Sequence, residues 1–170
     1  ETGFGTPFVE PGGFLYTPPR DQFDGASVLL PVSFPEYPVT WKQIQAFFRF
    51  ITMNRDVLLK KPQIQPLNAG AKTGTARFLG NELIRYGFGE VRDPDNASDD
   101  RKNPLKLPGS VIVARAEEDK ALAEFFSDLL NIPVGPLPVG ILPEKQGQIT
   151  IVLGEDYVYK PLQDVVLPKE

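Results

Sequence analysis

Apolar residues in this chain fall in short runs and one-sided stripes, separated by stretches rich in glycine and proline. The clearest example spans residues 64–88. Ile64–Leu67 reads as a short strand after Pro62, and Asn68, Gly70 and Gly74 supply tight-turn chemistry. From Thr73 onward, Ala76, Leu79, Leu83 and Ile84 take the i, i+3, i+4 spacing of one helix face. Gly87 suits the left-handed position just past a helix end, with Phe88 folding back onto the last turn. Glu90–Ala97 then opens the next extended stretch, which makes a βαβ-like unit.

The second half repeats the pattern. Ser110–Ala114 is a strand, and Glu117, Glu118 and Asp119 place carboxylates at the positive end of the next helix. Ala121, Leu122, Phe125, Phe126, Leu129 and Leu130 give that helix its apolar face, and Asn131 and Pro133 close it. A proline-rich loop leads to a last strand, Gln148–Leu153, ended by Gly154. Beyond Tyr159 no period is visible. From residue 62 to 157 the order is strand, helix, strand, strand, helix, strand. It predicts an α/β (α+β) domain of two layers, βα-β-βα-β, with both helices on one face of the sheet as in a split βαβ arrangement. A small doubly wound parallel sheet is the alternative.

Upstream, Ser27–Val32 reads as a buried strand, with Pro31 at an edge or strand end. Thr40-Trp41-Lys42-Gln43 is a capping-box pattern. It opens a helix striped by Trp41, Ile44, Phe47, Phe48 and Ile51 that covers a sheet and fades near Asn54. Residues 1–24 carry glycines and prolines interleaved with Phe4, Phe8, Phe14 and Tyr16, and read as a loop that packs down on something. Lys60–Pro62 reads as a linker. The expected organisation is therefore residues 1–60, residues 62–157 and a tail, 158–170.

Composition narrows the chemistry. The 170 residues are 41% apolar and 24% charged, which is about one soluble domain. The net charge of −4 speaks against a nucleic-acid partner or an anionic membrane surface. With no cysteine and no histidine, the chain has no disulfide, no thiol or imidazole catalyst and none of the usual zinc sites. No apolar run approaches the ~18 residues that span a bilayer, and no signal peptide is visible. Opening on Glu1 rather than Met, the chain reads as a processed form or a piece of something longer.

Gly70–Thr75 joins a strand to a helix start as a phosphate loop does, but such a loop needs a glycine six residues before its lysine. Lys72 follows Ala71, and Pro66 stands six before it. What survives is a generic anion site of helix N–H groups with Lys72 and Arg77 nearby. Asp93, Asp95, Asp99 and Asp100 could chelate calcium. Counting from Asp93, however, Ser98 and Pro104 stand where an EF-type loop needs glycine and glutamate, so a solvated loop is expected. Asn96-Ala97-Ser98 is a glycosylation sequon. No catalytic constellation, cofactor or metal is expected.

Leu67–Gly70, Thr73–Ala76, Leu83 and Tyr86-Gly87-Phe88 resemble the opening of the LytR C-terminal domain. Asp95–Ser98 is similar to that family's acidic segment, Ser110–Val113 sits at its next strand, and Ile149–Tyr157 is similar to its closing strand. The resemblance covers residues 62–157 and departs at Ala69, where the family prefers glycine. Asp24–Pro31 with Trp41, Ile44 and Phe47 looks like the tail of the catalytic region that precedes this domain in LytR-CpsA-Psr proteins. The resemblance implies an extracytoplasmic, non-catalytic accessory domain of a bacterial cell-envelope protein, anchored to the membrane only through an N-terminal segment outside this chain. The arginines and aspartates of the family's phosphotransferase site would lie upstream. Its implied partners are cell-wall glycan or anionic polymer, or the upstream catalytic domain. Asn68, Gly70, Lys72, Thr73 and Arg77 are the candidate binding residues. The other expectations are an anion- or nucleotide-binding module or small enzyme built on Gly70–Arg77, and a spacer that packs through Trp41, Phe47 and Phe48.

Overall fold

The computed structural model describes residues 14–31, 41–100 and 102–167. Near the amino end, β1 (Leu15–Tyr16) and β2 (Leu30–Pro31) pair antiparallel as a separate two-stranded sheet. Helices α1 (Lys42–Met53) and α2 (Arg55–Leu59) follow. The central sheet is built from β3 (Ile64–Asn68), β4 (Asp95–Asn96), β5 (Val111–Ala114) and β6 (Ile149–Leu153), in the spatial order β4-β3-β6-β5. β3 runs parallel to both β4 and β6, and β5 lies antiparallel on the outer side of β6. α3 (Thr75–Arg85) connects β3 to its neighbour β4, α4 (Lys120–Leu130) connects β5 to β6, and α5 (Leu162–Val166) closes the chain.

Strand periodicity sorts the core into two sides. Ile64, Ile112, Ile149, Ile151 and Leu153 share a buried cluster with Leu79 and Leu83 of α3 and Leu122 and Phe126 of α4. Leu67, Ala69 and Val152 join Ala97 and Ile141 on the other side, under Leu105, Leu107 and Leu137. Both connecting helices therefore lie on one face, as the element order predicts. The doubly wound alternative does not hold, because proline-rich connections rather than helices cover the opposite face.

Pro66 sits in the middle of β3, a central strand, where it cannot donate to a ladder. The chain opposite bulges away at that point. Ile64 exchanges bonds with Glu90 and Arg92, and pairing resumes only at Leu67 with Asp95. The Gln65 amide fills the gap, donating to Pro66 O at 3.1 Å and to Asp93 O at 3.0 Å. The end of α3 follows the expected pattern in detail. Gly87 has φ +101°, its N–H donates to Ile84 O, and Phe88 N–H donates to Leu83 O, the paired bonds of a glycine-terminated helix.

Four readings change. In α1 the buried side chains are Ala46, Phe47 and Phe50, whereas Trp41 and Phe48 of the expected stripe are about half exposed, at 55% and 50%. The phase is set by Phe50, whose ring meets Tyr86, Phe88 and Phe125. The helix also packs against α5, so its partners are helices and helix ends rather than a sheet. On α3, Ile84 is exposed; only Ala76, Leu79 and Leu83 of its expected face are buried. Ser27–Val32 shrinks to the two residues of β2, with Leu29 half exposed, because its partner is β1 and not the main sheet. The tail contains a helix, α5, that has no periodic signal. Thr40 of the capping box, Val32, Phe4 and Phe8 lie outside the described residues, and Trp41 offers no side-chain cap to α1.

Candidate functional site

β3, β4 and β6 point the same way, so the segments after Asn68, Asn96 and Leu153 gather at one end of the sheet, the end where α/β domains take ligands. α3 starts at this end and α4 finishes there, since β5 runs opposite to β6. All five candidate binding residues belong to the first of these segments.

The turn uses up much of its own polarity. Asn68 Oδ1 accepts from Gly70 N–H at 3.0 Å, and Asn68 Nδ2 donates to Ala71 O at 3.1 Å. Thr75 N–H donates to Lys72 O. Gly70 has φ +123°, and a Cβ there would lie 2.8 Å from Glu155 Cγ, so the position demands glycine for both backbone and space. The structure thus brings Asn68 and Gly70 together as the frame of the turn. Lys72, Thr73 and Arg77 are exposed on its outside. Beside them stands a residue that spacing did not single out: Phe78, 55% exposed, with its ring packed on Tyr159 at 6.0 Å between centroids. An exposed aromatic next to a lysine and an arginine was the signal available in the sequence.

The closing motif has a structural role. Gly154 allows β6 to meet the strand-entry loop, for a Cβ there would lie 2.6 Å from the carbonyl of Gly109. Ser110 Oγ donates to Asp156 Oδ1 at 2.7 Å and accepts from Gly154 N–H at 2.9 Å. Tyr157 packs against the main core, and burial pushes its phenol up to about 12.

Two further polar knots carry charge. Glu82, on the buried side of α3, accepts from the Tyr159 hydroxyl and, at 3.0 Å, from Leu162 N–H at the start of α5. Burial raises its carboxyl above the usual range, against the pull of those two bonds and of Arg85, while Asp164 adds to the rise. Arg85 is pushed down by burial and lies 5.8 Å over the Phe14 ring. In the acidic loop, Lys145 Nζ donates to Asp95 Oδ2 at 2.9 Å, to Asp99 Oδ1 at 2.5 Å and to Asn96 O at 2.8 Å. An ammonium thus occupies the centre that a calcium ion would have needed. It holds the Asp95 carboxyl below the usual carboxylate range. Asp100 turns its carboxylate onto the N–H groups of Lys102 and Asn103 instead. Among the described residues no group of three metal-ligating side chains gathers.

These features define a class: a two-layer α/β domain whose glycine-bearing turns are held by internal hydrogen bonds, with an open polar rim at the carboxyl ends of its parallel strands. The comparison with known families is specific. Residues 62–157 match the family described as LytR cell envelope-related transcriptional attenuator, and the chain belongs to that family. It carries the cell-envelope accessory domain of LytR proteins, a non-catalytic C-terminal domain. No curated protein and no solved structure matches the chain. No helix among the described residues is long and apolar enough to cross a membrane.

Proposed function

We propose that this domain holds cell-wall glycan at the outer edge of the α3 start, keeping it near the enzyme to which such a domain is attached. The observation that carries the reading is the exposed Phe78 ring, set over Gly74 in the same turn and helix start that exposes Lys72, Thr73 and Arg77. A sugar ring offers C–H faces to an aromatic platform and hydroxyls to the polar groups around it, and the two cations suit an anionic substituent. Asn68 and Gly70 contribute by fixing the turn that presents these side chains.

A nucleotide-binding reading draws less from the geometry. The N–H groups of Gly70 and Thr75 are already donated to Asn68 Oδ1 and Lys72 O, so fewer are left to curl around a phosphate. Co-sedimentation with purified cell-wall sacculi tests the proposal. The wild-type chain is expected to sediment saturably, and Lys72→Ala with Arg77→Ala and Phe78→Ala to lower its apparent affinity about tenfold or more, in line with the loss of one ring contact and two rim charges. Failure of the wild-type chain to sediment would sink it.

A further inference from the structure

At the same end of the sheet, on the helix side, a cleft of about 680 Å³ opens between the last turn of α4, the start of β5 and the chain from Tyr157 to Leu167. Its charged walls are Asp128, Asp156, Asp164 and Lys160, a net charge of −2, and apolar side chains such as Leu129 and Val165 lie between them. Asp128 and Asp164 are exposed and Asp156 is tied to Ser110 alone by hydrogen bond, so all three carboxylates face water with capacity to accept.

We infer that this cleft takes a peptide bearing free primary amines, as the peptide component of the wall whose glycan the domain is proposed to hold; the inference rests on that reading. Charge decides the occupant. Three carboxylates against one ammonium disfavour an anionic polymer, and a neutral sugar has no use for the imbalance. An alkylammonium side chain fits both parts of the lining, its methylenes on Leu129 and Val165 and its head among the aspartates. The cleft and the Phe78 rim are joined by one segment. Val158 and Lys160 line the cleft, and between them Tyr159 turns its ring onto Phe78. One strand of wall material can therefore lay its sugar on one side of this segment and its peptide on the other.

The test uses sacculi before and after N-acetylation of their amines, with wild-type chain, the double variant Asp128→Asn/Asp164→Asn and Lys160→Ala. Acetylation and the double variant are each expected to weaken sedimentation at least tenfold, and Lys160→Ala to strengthen it severalfold, with all effects shrinking at high salt. Both aspartates are solvent-exposed, so the double variant should keep the wild-type melting temperature. If the wild-type chain binds intact and acetylated sacculi equally, the amine inference is overturned while the glycan proposal stands. If the wild-type chain binds neither, the glycan proposal fails. The cleft is then judged by titrating a terminally blocked Gly-Lys-Gly peptide against its Nε-acetylated form. Backbone amide shifts at Ser110, Asn131 and Val158 with the free amine alone would uphold the cleft, and no shifts would overturn it.

Discussion

Replacing Glu82 by alanine takes the acceptor away from two donors at once. Leu162 N–H is buried at the start of α5, and the Tyr159 hydroxyl is half-buried above α3. Leaving the buried Leu162 N–H without its acceptor costs about 1–3 kcal/mol, losing the Tyr159 bond about 1 kcal/mol and the lost methylene packing about 1 kcal/mol, so Glu82→Ala should cost about 3–5 kcal/mol. For a chain of this length that lowers the melting temperature by roughly 10 °C. Glu82→Gln keeps an acceptor for Leu162 and can donate to Tyr159, so it should cost under about 1 kcal/mol at neutral pH. The pH dependence has a definite sign. Burial raises the folded-state carboxyl above its unfolded value, so the folded chain binds this proton more tightly. The stabilisation that protonation brings is complete below the unfolded pKa and is lost as pH rises through the folded one. Urea unfolding followed by circular dichroism from pH 4 to pH 8 should therefore show wild-type stability falling relative to Glu82→Gln as pH rises. A wild type that gains on Glu82→Gln over that range, or an alanine variant costing less than about 1 kcal/mol, would refute this account of how α5 is held.

Three other outcomes are expected. Gly154→Ala should cost about 3 kcal/mol or more in the same unfolding assay, since its Cβ meets the Gly109 backbone, which cannot swing aside as a side chain would. Ser110→Ala leaves Gly154 N–H and Asp156 without their shared partner, and should cost about 1–3 kcal/mol. Lys145→Ala unties the loop of residues 143–146 from β4; because Asp95 and Asp99 are exposed, the loss should stay near 1 kcal/mol. Its signature is in pH: Asp95 is depressed, so the clamp contributes above the ordinary carboxylate range and is lost as pH falls through the folded Asp95 value. Acid titration of wild type against Lys145→Ala should show the two curves converging.

Local rules sufficed where the chain's own spacing sets the structure. The β3–turn–α3 unit and the glycine stop at Gly87 rest on neighbours within a few residues, and the strands β5 and β6, though they pair with distant strands, carry apolar, β-branched runs of their own; each was legible. Where distant contacts decide, the signal failed. α5 is five residues long and exists because Glu82, some eighty positions earlier, receives its first N–H. The stripe of α1 caught Ile44, Phe47 and Ile51, which pack on the core, but took in Trp41 and Phe48 and missed Phe50, because these aromatics are equally apolar on paper. Only the rings of Tyr86, Phe88 and Phe125 choose Phe50 as the inward residue. At the candidate site the sequence marked Asn68–Arg77 as a turn and helix start without separating its frame, Asn68 and Gly70, from its exposed edge. That distinction lives in the Asx hydrogen bonds and in the crowding by Glu155.

The aromatic cluster around Phe50 has a practical consequence. It joins Phe14 and Phe47, upstream of the family segment, to Tyr86, Phe88 and Phe125 within it, while Leu162 of α5 closes the same core from beyond residue 157. What is inherited as a family and what melts as a unit therefore have different limits. A fragment trimmed to residues 62–157 would present a bare wall of rings to water, and such a surface recruits its own kind. Clumping of that fragment in solution would say nothing about oligomers of the whole chain; it would report the missing cover.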